Sequence, residues 1–164
     1  MQLISSSLAE ETIRKAKESA RKRMNYNFHV DFSDPINRML NAMEPGTYVQ
    51  PHKHENPDKR EVFLVLEGTA AVVCFDATGE ISEYTLLNRN KKVYGVEIPP
   101  KTWHTVISLE SGTLLYEIKD GPYSPLDDKN FALWAPREGE ARCDDYLTGL
   151  IKKLNLENFF KAIS

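Results

Sequence analysis

An all-β barrel or jelly roll with a helix at each end is the fold class this sequence predicts, and three observations predict it. Between residues 39 and 119 eight short apolar runs follow one another, at 39–44, 48–54, 62–67, 70–76, 81–87, 93–98, 102–109 and 113–119. They are punctuated by turn chemistry at Pro45-Gly46, Gly68-Thr69, Ala77-Thr78-Gly79 and Ser111-Gly112, the rhythm of a two-sheet or barrel arrangement. Helical spacing of apolar residues is confined to the two ends of the chain. Several strands, such as 62–66 and 70–75, are apolar on both faces. They must therefore be covered on both sides, by the terminal helices or by a second subunit.

At 164 residues the chain fits one domain with a real core. We divide it into a helix and extended arm at 1–34, a barrel with its strap at 35–137, and a helical extension at 138–164. Ser7-Leu8-Ala9-Glu10 reads as a capping box opening a helix over about 8–23, since a serine hydroxyl and a glutamate three residues on satisfy free amides. Leu8, Ala9, Ile13, Ala16 and Ala20 form its thin apolar stripe. Arg14, Lys15, Lys17, Arg21, Lys22 and Arg23 form a solvated basic face. Next, Asn25, Asn27 and His29 alternate with Tyr26, Phe28 and Val30, a period of two that sets three polar side chains on one side of an arm. Asn25 and Asn27 suit sugar hydroxyls, and His29 could move a proton.

After the strands come Pro122, Pro125 and Pro136 with Tyr123, Phe131 and Trp134, a loop-rich strap wrapped over the barrel. In the tail Tyr146, Leu147, Leu150, Ile151 and Leu154 share one helix face, and Phe159, Phe160 and Ile163 continue the apolar content. That face is core-facing or dimer-facing rather than membrane-spanning.

Composition excludes some classes. With 21 basic and 24 acidic residues the net charge is −3, which disfavours nucleic acid as a partner. No apolar run reaches the roughly 18 residues a membrane span needs, and residues 1–7 lack the basic start and apolar stretch of a signal peptide. The expected location is cytoplasmic. Cys74 and Cys143 show neither a metal spacing nor a disulfide framework, so both are expected reduced.

The chemistry concentrates between Gly46 and Gly68. His52 and His54 stand two apart, so on an extended strand both imidazoles point one way. Glu61 opens the next apolar run, and His104 follows Pro99 at a distance. Three imidazoles and a carboxylate suit a divalent transition metal, with zinc, manganese, iron, cobalt and nickel all compatible. Other candidates are Tyr48, Gln50, Glu97, Lys101, Glu117, Lys119 and Tyr123. Tyr48 precedes His52 by four residues, on the same strand face if Pro51 does not twist the chain. Glu117 alternates with apolar neighbours and could point into the barrel as an acid or base. Lys101 and Lys119 could hold a phosphate or carboxylate.

Gly46, His52, His54, Glu61 and Gly68 resemble the first cupin motif, and Pro99 to His104 resembles the second. Over roughly residues 1–137, including segments 23–29 and 119–123, the chain is similar to cupin metalloproteins of the WbuC type, found among genes for bacterial surface polysaccharide synthesis. The resemblance implies a double-stranded β-helix and metal at His52, His54, Glu61 and His104, and the apolar faces noted above lead us to expect a homodimer. The resemblance also implies chemistry on a sugar or nucleotide-sugar, of isomerase or epimerase kind; for such chemistry our own reading of the residues offers Glu117, Tyr48 and His29 as catalytic candidates and Asn25, Asn27, Lys101, Lys119 and Tyr123 at the substrate. An iron-dependent oxygenase and a non-catalytic sugar-binding module are alternatives. Two departures stand out. The insert 55–60 is longer than usual, and Lys101 occupies a motif glycine position, where positive φ is expected.

Overall fold

Two five-stranded antiparallel sheets pack face to face, each with a helix on its outer side. The structure is a computed structural model and describes residues 1–124 and 129–159; Pro125, Phe160 and Ile163 of the expectations above lie outside them. In chain order the elements are α1 (Ser6–Glu18), β1 (Arg23–Asn27), β2 (Ile36–Met43), β3 (His52–Lys53), β4 (Glu61–Glu67), β5 (Thr69–Phe75), β6 (Ile81–Asn88), β7 (Gly95–Ile98), β8 (Trp103–Ser108), β9 (Thr113–Asp120), β10 (Asn130–Phe131) and α2 (Cys143–Lys153). One sheet runs β1-β2-β9-β4-β7 and the other β10-β3-β8-β5-β6.

Three apolar clusters hold this together. Met43, Phe63, Val65, Val72, Leu87, Ile98, Val106 and Leu115 fill the space between the sheets. Ala9 and Ala16 of α1 pack with Phe28, Leu40, Ala42 and Leu114 on the outside of the first sheet. On the second sheet, Leu147, Leu150 and Ile151 of α2 cover Ala71, Val73, Phe75, Ile107 and Leu109. The terminal helices are thus the cover that the doubly apolar strands require. Trp134 of the strap packs on Phe75, their ring centroids 5.1 Å apart.

Two elements differ from expectation. The cap of α1 is Ser5, whose hydroxyl accepts from the Leu8 amide, and the helix stops at Glu18 rather than near Arg23. Pairing explains the early end: Arg23 and Met24 are drawn into β1 opposite Met43 and Ala42. The strand expected over 48–54 shrinks to His52–Lys53. Pro51 has no amide to donate, and the carbonyls around it go elsewhere, Tyr48 to Arg23, Val49 to the Thr105 hydroxyl and Pro51 to the Ala132 amide.

Candidate metal centre

Four buried side chains meet at one end of the sandwich interior. His52 lies on β3, His54 just after it, Glu61 at the start of β4 and His104 on β8. One donor atom from each falls within 4.8 Å of the other three. Register explains the convergence. His52 pairs directly with His104 across β3 and β8, and the loop 55–60 carries the chain across to the other sheet to deliver Glu61. Lys101 closes the arrangement: its amide donates to the His54 carbonyl at 3.0 Å. It adopts φ 66, so the motif's turn is kept with a lysine in place of glycine.

The histidines are oriented from behind. His52 Nδ1 lies 2.9 Å from the Gln50 carbonyl and His104 Nδ1 lies 2.8 Å from the Thr102 carbonyl. A carbonyl only accepts, so both rings carry a proton on Nδ1 and, when neutral, present a lone pair at Nε2. His52 Nε2 is buried and has no hydrogen-bond partner among the described residues. Burial, reinforced by Lys129 and His104, holds the His52 pKa well below the usual histidine range. His104 Nε2 and His54 Nε2 lie 2.9 and 3.3 Å from Glu61 Oε2. Burial pushes Glu61 upward, but hydrogen bonds from His104 and His54 outweigh it and hold the carboxyl well below the ordinary value. An orphaned nitrogen on His52, two further imidazole nitrogens and an ionised carboxylate aimed at one point fit a divalent cation, which would displace any proton shared between those imidazoles and Glu61.

Around this group the inner face is polar. Lys119 pairs with Glu61 across β9 and β4, and Asn37 pairs with Lys119 across β2 and β9. One step along, Glu117 is buried and accepts from Asn41 Nδ2 at 3.0 Å. Burial, followed by the charge and hydrogen bond of Glu61, pushes the Glu117 carboxyl up to about 8. Lys119 is buried too, its ammonium 5.7 Å from the Tyr123 ring. Asn25 and Asn27 lie opposite Asn41 and Met39 on the same face and are exposed, so the polar interior opens at the β1 edge.

Other candidates are placed elsewhere. Tyr48 does not reach the cluster, because residues 47–51 are not strand and the expected alternation does not apply. Its hydroxyl donates to the Pro136 carbonyl at 2.7 Å and its ring packs in the α2 core, where burial raises its pKa. His29 Nδ1 sits 3.1–3.2 Å from the Arg38 main chain. The Lys101 side chain is 55% exposed and its ammonium pairs with Asp58 at 3.1 Å. Gln50 donates to the Ala132 carbonyl, and Glu97 is exposed.

Four residues escaped the sequence reading. Asn37 and Asn41 left a weak signal, two amides an even number of residues apart and so on one face of a strand that also carries Met39, Leu40 and Met43. Lys129, close enough to shift His52 and Glu117, left none. Lys59, 2% exposed, donates to the Pro122 carbonyl and ties the insert to the strap.

Residues 4–87 match the family described as Domain of unknown function (DUF6016), a span that includes His52, His54 and Glu61. The chain belongs to this family. No curated protein sequence matches the DUF6016 chain. Solved structures similar to it include capsular polysaccharide assembling protein CapF from Staphylococcus aureus, with 22% identity, TM-score 0.54, and coverage of 66% of this chain and 29% of CapF. Oxalate decarboxylase from Bacillus subtilis gives 17% identity, TM-score 0.50, and coverage of 66% and 27%. KdgF from Halomonas sp. gives 17% identity, TM-score 0.49, and coverage of 63% and 81%. This DUF6016 member therefore has the cupin fold, while its match spans less than a third of CapF and of the decarboxylase. Among its described residues no helix is long and apolar enough to cross a membrane.

Proposed function

We propose that this protein is a metal-dependent cupin that acts on a sugar or nucleotide-sugar, as an isomerase or epimerase, during bacterial surface polysaccharide assembly. The observation that carries the reading is the buried group of four donors with an unpartnered His52 Nε2. His52, His54 and His104 would hold a divalent transition metal through nitrogen and Glu61 through oxygen. Such an ion, when bound, polarises a substrate oxygen as a Lewis acid. The sugar substrate rests on the resemblance to WbuC-type cupins and is supported by the polar wall of Asn37, Asn41, Glu117 and Lys119 beside the donors.

Isomerising or epimerising a sugar requires a proton to leave the carbon next to a carbonyl and return to its opposite face or to the neighbouring carbon. Glu117 is the residue that takes that proton and, in an isomerisation, returns it to the neighbouring carbon, whereas an epimerisation needs a second donor on the opposite face; its carboxyl is buried beside Glu61 and held in place by Asn41. Lys119 and Tyr123 orient the substrate, and Asn25 and Asn27 meet it at the open edge. Lys101 and His29 remain at the rim.

Elemental analysis of protein purified without added metal tests the first half. About one equivalent of one transition metal is expected, lost in His52→Ala. Incubation with monosaccharides and nucleotide-sugars in D2O tests the second: wild type should exchange a carbon-bound hydrogen for deuterium, and Glu117→Gln should retain metal without exchange. Sugar binding without exchange would leave a binding module in place of an enzyme. Turnover that requires dissolved oxygen and ferrous iron would replace this reading with the oxygenase.

A further inference from the structure

The buried amide of Asn37 has no structural employment. It is 1% exposed, and neither its Nδ2 nor its Oδ1 has a hydrogen-bond partner among the described residues. Buried amides are nearly always paired, because an unpaired one loses its water without replacement. Its position is specific. Asn37 stands opposite Lys119, which stands opposite Glu61, and directly opposed residues of antiparallel strands share a face. The amide therefore lies on the inner face that carries Glu61, two strands away, or roughly 10 Å at the usual strand spacing. Asn41 Oδ1, on the same face and strand, is also buried and unpartnered. Beyond them, Asn27 opens that face to solvent at the β1 edge.

The geometry points to Asn37 as the residue that recognises a pair of neighbouring hydroxyls on the substrate, at the end remote from the donors of the metal centre. The chemistry of the idle group selects the ligand. Nδ2 needs an acceptor and Oδ1 needs a donor. A carboxylate or a dianionic phosphate answers only the first, whereas a vicinal diol answers both with one oxygen accepting and the other donating. Two strands of separation mean that the diol belongs to the same molecule as the metal-facing oxygens only if the ligand is a polyhydroxylated one of some length. Asn37 thus discriminates sugars from small dicarboxylates that could otherwise meet a metal at this end of the sandwich. This assignment rests on the sugar reading above and adds to it the group that reads the sugar.

The test uses the full chain loaded with Mn2+, titrated by calorimetry with D-mannose, D-galactose and, as an anion that binds through carboxylates, oxalate. At least one sugar should bind wild type. Asn37→Ala and the closer mimic Asn37→Asp should weaken it at least tenfold, with manganese content and oxalate affinity unchanged. Sugar binding equal to wild type in both variants overturns the assignment, as does wild type that binds oxalate and neither sugar. A higher melting temperature in Asn37→Leu with sugar affinity intact would also overturn it, marking Asn37 as a buried amide that simply goes unpaired. Failure of the metal reading shows separately, as wild type that takes up no manganese. The same sugar titrations on the metal-free chain then still decide the role of Asn37.

Discussion

The two ends of the sandwich interior are built by the same strands and could hardly differ more. β9 contributes Leu115 to one end and Lys119 to the other, β4 Val65 and then Glu61, β8 Val106 and then His104, and β2 Met43 and then Asn37; the two chemistries meet midway, where Phe63 and Met39 face Glu117 and where Asn41 faces Leu115. Moving two residues along any of these strands keeps the face and changes the chemistry. The apolar end is where burial stabilises the fold. At the polar end unpaired buried groups each cost about 1–3 kcal/mol, a cost sustained only because the apolar end offsets it.

The largest effect should come from the apolar end. Phe63→Ala removes a ring from the middle of the inter-sheet core, and urea unfolding should show a loss of about 3–5 kcal/mol. Full stability in that variant would mean that the helices, not the sheet interface, hold the sandwich together. The counterpart at the polar end is His104→Ala. It should lower metal content at least tenfold by elemental analysis, yet destabilise metal-free protein less than Phe63→Ala does, since it also relieves a crowded group of imidazoles.

A peripheral carboxylate, Glu138, contrasts with this interior. Glu138 pins the β1 edge to the strap, accepting from Arg21 at 2.7 Å and from Arg23 at 2.6 Å. Burial pushes its pKa up, but the two arginines outweigh that and hold it below its ordinary 4.5. A lowered folded-state pKa means the contribution is present above about 4.5 and is lost as pH falls through the folded value. Being partly exposed, the pair is screened and should contribute only about 0.5–1 kcal/mol. Glu138→Gln should therefore lower stability slightly at pH 7 and flatten the acid limb of the stability profile. An unchanged acid limb would show that the pair contributes nothing.

The smallest effect is expected at Lys101. Glycine there relieves the left-handed strain, but it frees the unfolded chain and loses the exposed Asp58 pair. These terms should cancel to within about 0.5 kcal/mol, with metal content unchanged. Lys101→Val, β-branched at positive φ, should cost about 1–2 kcal/mol in thermal melts.

Much of the polar end was legible in the sequence. His52, His54 and Glu61 fall on a motif whose spacing is set by strand geometry, and the apolar runs marked the strands to within a few residues. What was not legible depends on partners distant in the chain. Tyr48 could be read as facing the site only on the assumption of a regular strand, and its real partner, the Pro136 carbonyl, lies 88 residues on. Asn37 lay outside the expected strand 39–44, because pairing with Lys119 on β9 is what extends β2 to it. The cap of α1 shifted because three serines in a row, Ser5 to Ser7, offer the same hydroxyl, and the choice among them falls to packing.

Glu61 comes from one sheet, and the three imidazoles come from the other or from the turn that leaves it. An ion held by all four would act as a clasp between the two leaves at that end. Its departure would then be governed by how often the leaves part at that end, not by the strength of any single coordinate bond. Chelators should strip such an ion slowly, at a rate insensitive to chelator concentration. Amide hydrogens of β3 and of the first residues of β4 should exchange faster once it is gone.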